Sequence, residues 1–148
     1  QTCALPIYPD TRVISAQSVQ ALITPRTKVI VPVHLYGLPA DMDAIMAIAK
    51  EHKLKVIEDC AQANGAVYKG KCVGSFGDFG CFSFQGAKNM STLGEGGMLT
   101  VRDQENATLA RRMRWMGNWL FEEDRSDNWI PAGNNLVQIG RASCRARV

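Results

Sequence analysis

No stretch of the 148-residue sequence reaches the roughly 18 to 20 consecutive apolar residues that a helix needs to cross a bilayer. Residues 1–30 also lack the basic segment, apolar segment and cleavage site of a secretory leader. A soluble, cytoplasmic protein without a membrane partner is therefore expected. The five cysteines include no C-x-x-C pair and are odd in number and scattered, so neither a disulfide framework nor a structural zinc site is indicated, and no metal is expected. The glycine group Gly94-Glu95-Gly96-Gly97 fits neither the dinucleotide G-x-G-x-x-G nor the phosphate-loop G-x-x-x-x-G-K-[ST] pattern, which disfavours nicotinamide and triphosphate sites. Repeats and low-complexity tracts are missing too. What is there is 46% hydrophobic and 21% charged, enough to bury one substantial core as a single domain.

Both ends look foreign to that domain. Gln1-Thr2-Cys3-Ala4-Leu5-Pro6-Ile7 and Ile139-Gly140-Arg141-Ala142-Ser143-Cys144-Arg145 resemble translated sequencing-library adapters. Residues 1–7 and 139–148 are accordingly expected to be adapter-derived tails, 8–138 the authentic part of a domain, and the natural chain to continue past both ends. Without the tails three cysteines remain, and the loss of Arg141, Arg145 and Arg147 takes the net charge from +3 to zero. The basic balance that would hint at a nucleic acid disappears with them, so no nucleic-acid partner is expected.

Hydrophobic spacing predicts an α/β order. Ser15 can cap a short helix through about Ile23, with Ala16, Val19, Leu22 and Ile23 on one face, before Thr24-Pro25-Arg26-Thr27 breaks it. Lys28 to Val33 reads as a buried strand with Pro32 near its end. Asp41 is a helix N-cap preceding an apolar stripe of Met42, Ile45, Met46, Ile48 and Ala49, and the helix should stop near His52. Leu54 to Ile57 then runs into Glu58 and Asp59. This strand, helix, strand unit has connections short enough to favour a parallel pair with a right-handed crossover. Tyr68 to Lys71 is turn chemistry; Asp78 to Phe84 and Met98 to Val101 are further strands; Gln104 to about Met116 is a helix carrying Leu109, Met113 and Met116.

In open parallel sheets ligands bind beyond the carboxyl ends of the strands, which makes Asp59 a candidate for chemistry, although Glu58-Asp59 equally reads as the opening of a turn or a helix cap. Ser83 and Lys88 place a hydroxyl and an amine five residues apart at another strand end, ahead of the glycine group. A lone lysine is ordinarily a solvated surface residue. His34 and Tyr36, in the loop after the first long strand, could line a pocket, but a packing or turn role is favoured. Glu95 is read as capping the glycine turn, and Cys60, Cys72 and Cys81 as small buried hydrophobes.

Taken together, Ile57-Glu58-Asp59-Cys60-Ala61-Gln62-Ala63, then Ser83-Phe84-x-x-x-Lys88, then Gly94-Glu95-Gly96-Gly97 resemble the DegT/DnrJ/StrS family of pyridoxal phosphate-dependent sugar aminotransferases. Val33-His34-Leu35-Tyr36-Gly37 and Asp41-Met42-Asp43 also match, and the similarity covers nearly all of residues 8–120. The resemblance implies a mostly parallel sheet flanked by helices, the central part of the large domain of a fold-type I transferase. It implies pyridoxal 5'-phosphate as cofactor, with Asp59 keeping the ring nitrogen protonated. Lys88 would be the residue that links covalently to the cofactor and then shuttles a proton. Gln62 would lie near the phenolic oxygen, and Ser83 would hold the phosphate. Asn135, in Gly133-Asn134-Asn135, faintly matches a family asparagine that reaches the phosphate of the neighbouring subunit, though the residues that usually follow are absent.

The implied reaction moves an amino group from an amino acid, typically glutamate, to a nucleotide-linked keto sugar, with polysaccharide biosynthesis as the setting and a homodimer as the parent protein. Some relatives carry histidine in place of Lys88 and dehydrate the sugar. A dehydratase or a non-catalytic cofactor-binding relative are thus the alternatives, and the latter would be expected to have lost Lys88 or Asp59. The isolated chain, lacking an upstream phosphate loop and a small carboxyl-terminal domain, is expected to be nearly inactive.

Overall fold

The computed structural model describes residues 7–92, 94–114 and 136–139. Ser15 caps α1 (Ala16–Leu22), its Oγ accepting the Ser18 N–H at 3.3 Å. Ala16 and Val19 are buried, but Leu22, expected on the same face, is 57% exposed. At 3.6 residues per turn Leu22 lies about 90° round the helix from the midpoint of the other two, beyond the edge of the stripe. The strand expected over residues 28–33 is shorter in its regular part, β1 (Val29–Ile30), which pairs in parallel with the start of β2 (Lys55–Asp59). Pro32 has no N–H to offer, so pairing resumes only as a single bridge from Val33 to Asp59, with Asp59 donating to the Pro32 carbonyl at 2.9 Å and His34 to that of Asp59 at 3.0 Å.

Between those strands α2 (Met42–Glu51) starts at Asp41, whose Oδ1 accepts the Ala44 N–H at 3.2 Å. Met42, Ile45 and Ala49 turn inward onto Ile30 and Val56, while Asp43, Lys50 and Glu51 stay exposed. Full burial of a side chain such as Met42 or Ile45 contributes about 1.5–3 kcal/mol. The hairpin β3 (Val67–Tyr68) and β4 (Lys71–Cys72) turns through Lys69 and Gly70, both at positive φ (48° and 82°), the geometry of a two-residue hairpin loop. Tyr68 moors it to the amino end of α2, donating to Asp41 Oδ1 at 2.7 Å and meeting Phe76 edge to face. Cys72, expected to be buried, is exposed on this hairpin, and its neighbour Val73 takes the inward position.

Asp78 sets the register of β5 (Phe79–Ser83) against β2. Its N–H donates to the Val56 carbonyl, its Oδ2 accepts the Val56 N–H at 2.9 Å, and its Oδ1 accepts Lys55 Nζ at 3.0 Å. The chain returns antiparallel as β6 (Gly97–Val101), and β7 (Leu136–Ile139) pairs antiparallel with β6. The sheet order is β1-β2-β5-β6-β7, with β6 alone running against the other four strands. Asp103 caps α3 (Gln104–Arg114), accepting the Asn106 N–H at 2.8 Å. Ala107 packs on Val101 with Phe79 and Leu99, whereas Leu109, expected inward, is exposed because two helical residues place it about 200° from Ala107. Met116 lies outside the described residues. With α2 against the Val56 side and α3 against the Phe79 side, the fold is the expected α/β arrangement of a mostly parallel sheet flanked by helices.

Candidate functional site

Strand alternation gives the carboxyl ends of β1, β2 and β5 two chemically different faces. Val33 is in register with Asp59, and Asp59 with Cys81, so these three side chains share one face, joined by Ser83 two residues further along β5. His34, Glu58, Gly80 and Phe82 take the other face.

The Glu58 face is closed. Glu58 and His34 are both 0% exposed. Glu58 Oε1 accepts the N–H groups of Phe76 at 2.7 Å and Gly77 at 2.6 Å, and Oε2 accepts those of Gly74 at 2.7 Å and His34 Nε2 at 3.1 Å. His34 Nδ1 accepts the Ala40 N–H at 3.1 Å, which assigns the imidazole hydrogen to Nε2. Burial by itself pushes the Glu58 carboxyl up, but the His34 hydrogen bond and the three amides outweigh it and hold the group below its ordinary 4.5. The loop bearing those amides fits only because its neighbours lack side chains: a Cβ on Gly80 would stand 2.6 Å from the Gly74 carbonyl oxygen, and one on Gly74 would strike the Phe82 ring. His34, Glu58 and Cys60 bring donor atoms within 4.8 Å of one another, yet both imidazole nitrogens and both carboxylate oxygens are already committed. The packing role expected for His34 is the one it has.

The Asp59 face is the open one. Asp59 is half-buried, and its Oδ1 accepts the Ala61 N–H at 3.0 Å; its Oδ2 has no hydrogen-bond partner among the described residues. Burial first, and the Asp59 charge second, push the Cys81 thiol up, and burial does the same to Cys60 with Glu58 and Asp59 adding to it. Both therefore stay protonated, as poor nucleophiles. Gln62, in the loop after Asp59, spends its side-chain oxygen on the Tyr36 N–H at 3.1 Å, leaving its amide nitrogen for another partner. Tyr36 is 75% exposed at φ 54°, a turn residue as expected.

After Ser83 the chain forms a turn held by its own residues. Ser83 Oγ accepts the Gln85 N–H at 3.4 Å, the Gln85 carbonyl accepts the Lys88 N–H at 2.9 Å, and Gln85 Oε1 accepts the Ala87 N–H at 2.8 Å. Lys88 is half-buried, with no hydrogen bond or ion pair to its Nζ among the described residues. The Gly94 to Gly97 group brings the chain back beside this turn: Gly96 accepts the Phe84 N–H at 2.8 Å, and Gly97 pairs with Ser83. Glu95 is exposed there.

Asp59 and Ser83 thus stand on one face at adjacent strand ends, with Gln62 and Lys88 on the loops that follow. No hydrogen bond or ion pair joins any two of these four side chains among the described residues, and Asn135 lies outside those residues. Three contributors escape a reading of the sequence: Glu58 as anchor of the 74–77 loop, Gln85 as organiser of the lysine turn, and Asn64, which donates to the Ser83 carbonyl and to Asn89.

Residues 2–136 match the DegT/DnrJ/EryC1/StrS aminotransferase family. The chain is 52% identical over 120 residues to a UDP-N-acetyl-3-dehydro-alpha-D-glucosamine 3-aminotransferase of Acidithiobacillus ferrooxidans, covering 78% of this chain and 32% of that protein. It is 52% identical over 109 residues to a GDP-perosamine synthase of Caulobacter vibrioides, covering 74% and 29%. Of solved structures, an aminotransferase from Psychrobacter cryohalolentis superposes with a TM-score of 0.66 at 54% identity, over 67% of this chain and 25% of that one. DesI in the presence of its TDP-sugar product superposes with a TM-score of 0.72 at 37% identity, over 77% and 29%. The chain spans less than a third of the length of each. By its sheet order, by the motifs at its strand ends and by this match, the chain belongs to the DegT/DnrJ/EryC1/StrS aminotransferase family.

Proposed function

We propose that residues 8–138 are the middle of the cofactor-binding domain of a cytoplasmic, homodimeric aminotransferase that moves an amino group from glutamate to a nucleotide-linked keto sugar, with pyridoxal 5'-phosphate as cofactor. Residues 1–7 and 139–148 are, on this proposal, adapter-derived tails. The observation that carries the functional reading is the half-satisfied Asp59 carboxylate at the end of β2, on the same sheet face as Ser83 and one strand from the turn bearing Lys88. A carboxylate, a hydroxyl and an amine are the donor set that a phosphorylated pyridine aldehyde calls for, and the residues present fit it. The names of the relatives, several of which concern nucleotide sugars, support the substrate class.

When bound, pyridoxal phosphate supplies an electron sink for negative charge developing at the substrate carbon. Asp59 would hold the proton on the ring nitrogen by opposite charge. Lys88 would anchor the cofactor and carry a proton to and from the substrate carbon through Nζ. Ser83 would donate its hydroxyl to the phosphate, and the free amide nitrogen of Gln62 would donate to the phenolic oxygen. Asn135 would reach the phosphate of the partner subunit's site. The presence of Lys88 favours amination over dehydration.

The test is made on the full-length parent protein. Cofactor absorbance that Lys88→Ala removes, together with glutamate-dependent formation of an amino sugar from one of a panel of nucleotide-linked keto sugars, is the expected result. Consumption of the sugar without gain of nitrogen would overturn the reading in favour of a dehydratase.

A further inference from the structure

We propose that Asn64 is a positioning residue that fixes the lysine turn relative to the loop leaving Asp59; the inference rests on the aminotransferase reading for its functional consequence, though not for its geometry. Asn64 Nδ2 donates to the Ser83 carbonyl at 3.3 Å and to Asn89 Oδ1 at 3.1 Å. Those two acceptors bracket residues 84–88, the turn on which Lys88 stands. A carbonyl can only accept, so the Ser83 contact fixes which end of the amide is nitrogen. The Asn64 Oδ1 is buried with no partner among the described residues, so its two donations are what hold this side chain.

The other end of the link is firm. Cys60 donates to the Cys81 carbonyl at 2.8 Å, Ala63 donates to the Cys60 carbonyl at 3.0 Å, and Cys60 and Ala63 are buried. Asn64 therefore projects from a short segment already tied to β5 and beginning at Asp59. The Gln85 bonds of the lysine turn run within it, and Phe84 at its start is tied to Gly96 and Thr92 on the returning chain, but none of these bonds reaches the loop leaving Asp59. Asn64 supplies the cross-link between the carboxylate loop and the amine turn, and a misplacement of about 1 Å between reacting groups costs on the order of a hundredfold in rate.

The experiment uses the full-length protein. In its cofactor-free form, Asn64→Ala should speed hydrogen exchange of amides 85–90 about tenfold, the factor expected for one to two lost hydrogen bonds, while β2 and β5 amides are unchanged. The isosteric Asn64→Asp, which turns both donors into acceptors, should do at least as much. In the loaded enzyme kcat should fall by more than about tenfold, with KM for the amino donor within about twofold. Asn89→Ala removes one of the two bonds and should loosen residues 86–90 alone, a readout that stands even if Asn64→Ala fails to fold; with both variants folded, their effects in a double-mutant cycle should be non-additive. Unchanged exchange at 85–90, or exchange that rises equally in β2 and β5, overturns the proposal. A wild-type protein without Lys88-dependent cofactor absorbance defeats the aminotransferase reading while leaving the exchange result to decide the geometry.

Discussion

Glu58→Gln preserves the shape of the side chain and changes one oxygen to an NH2 group, which isolates the worth of the buried carboxylate. Each oxygen faces two donors: Phe76 and Gly77 on one side, Gly74 and His34 on the other. Whichever way the new amide turns, two donors meet a donor. His34 offers no relief by moving its hydrogen, because Nδ1 faces the Ala40 N–H. Two charge-assisted hydrogen bonds at about 1.5–3 kcal/mol each, offset by the smaller desolvation of a neutral group, give a net loss of about 3 kcal/mol. In native-state exchange of the full-length protein, the amides of Gly74, Phe76 and Gly77 should lose about two orders of magnitude of protection. The pH dependence has a fixed direction. Since the folded carboxyl lies below its ordinary 4.5, its stabilisation is complete above that value and fades as the pH falls through the folded pKa. The gap between wild type and variant should therefore be constant near neutrality and narrow in acid. A loss under about 1 kcal/mol at pH 7, or a loop whose protection is unchanged, refutes the reasoning.

Other perturbations follow from the same geometry. Gly80→Ala puts a methyl group against the Gly74 backbone, which cannot swing aside, and should destabilise by about 2–4 kcal/mol in urea unfolding. Thiol alkylation followed by peptide mapping should label Cys72 first and Cys60 only after unfolding, since the one is exposed and the other buried with its thiol pushed up. Tyr36→Gly relieves a left-handed backbone at an exposed site and should change stability by less than about 1 kcal/mol; a loss above about 2 kcal/mol would mean the ring packs against something.

Much of the fold could be read directly because it follows from local spacing. Ser15 and Asp41 cap where their side-chain chemistry predicts, Met42, Ile45 and Ala49 form the buried stripe, and Asp59 ends its strand. The structure departs from the pattern where a second constraint acts. Pro32 interrupts the ladder that an apolar run implies, and Leu22 and Leu109 lie off the centre of their helix faces. The antiparallel direction of β6 shows in the pairing of its first residue, Gly97, with the last of β5, Ser83, and the composition of the strand carries no sign of it. Glu58 and Asn64 escape the sequence for a common reason: each binds main-chain groups 16–19 residues away, which leave no residue-type signature, and its one side-chain partner, His34 or Asn89, is more distant still. Asp59 is legible as a candidate because a carboxylate at a parallel strand end carries its own signal, and the structure places it at the end of β2.

The central claim, that Lys88 anchors a pyridoxal phosphate whose ring nitrogen faces Asp59, is tested most directly by borohydride reduction of the cofactor-loaded full-length protein and mass mapping of the modified peptide. A pyridoxyl adduct on Lys88, formed in the wild type and much diminished in Asp59→Ala, is the predicted result. An adduct on another lysine, or none at all, would contradict the account.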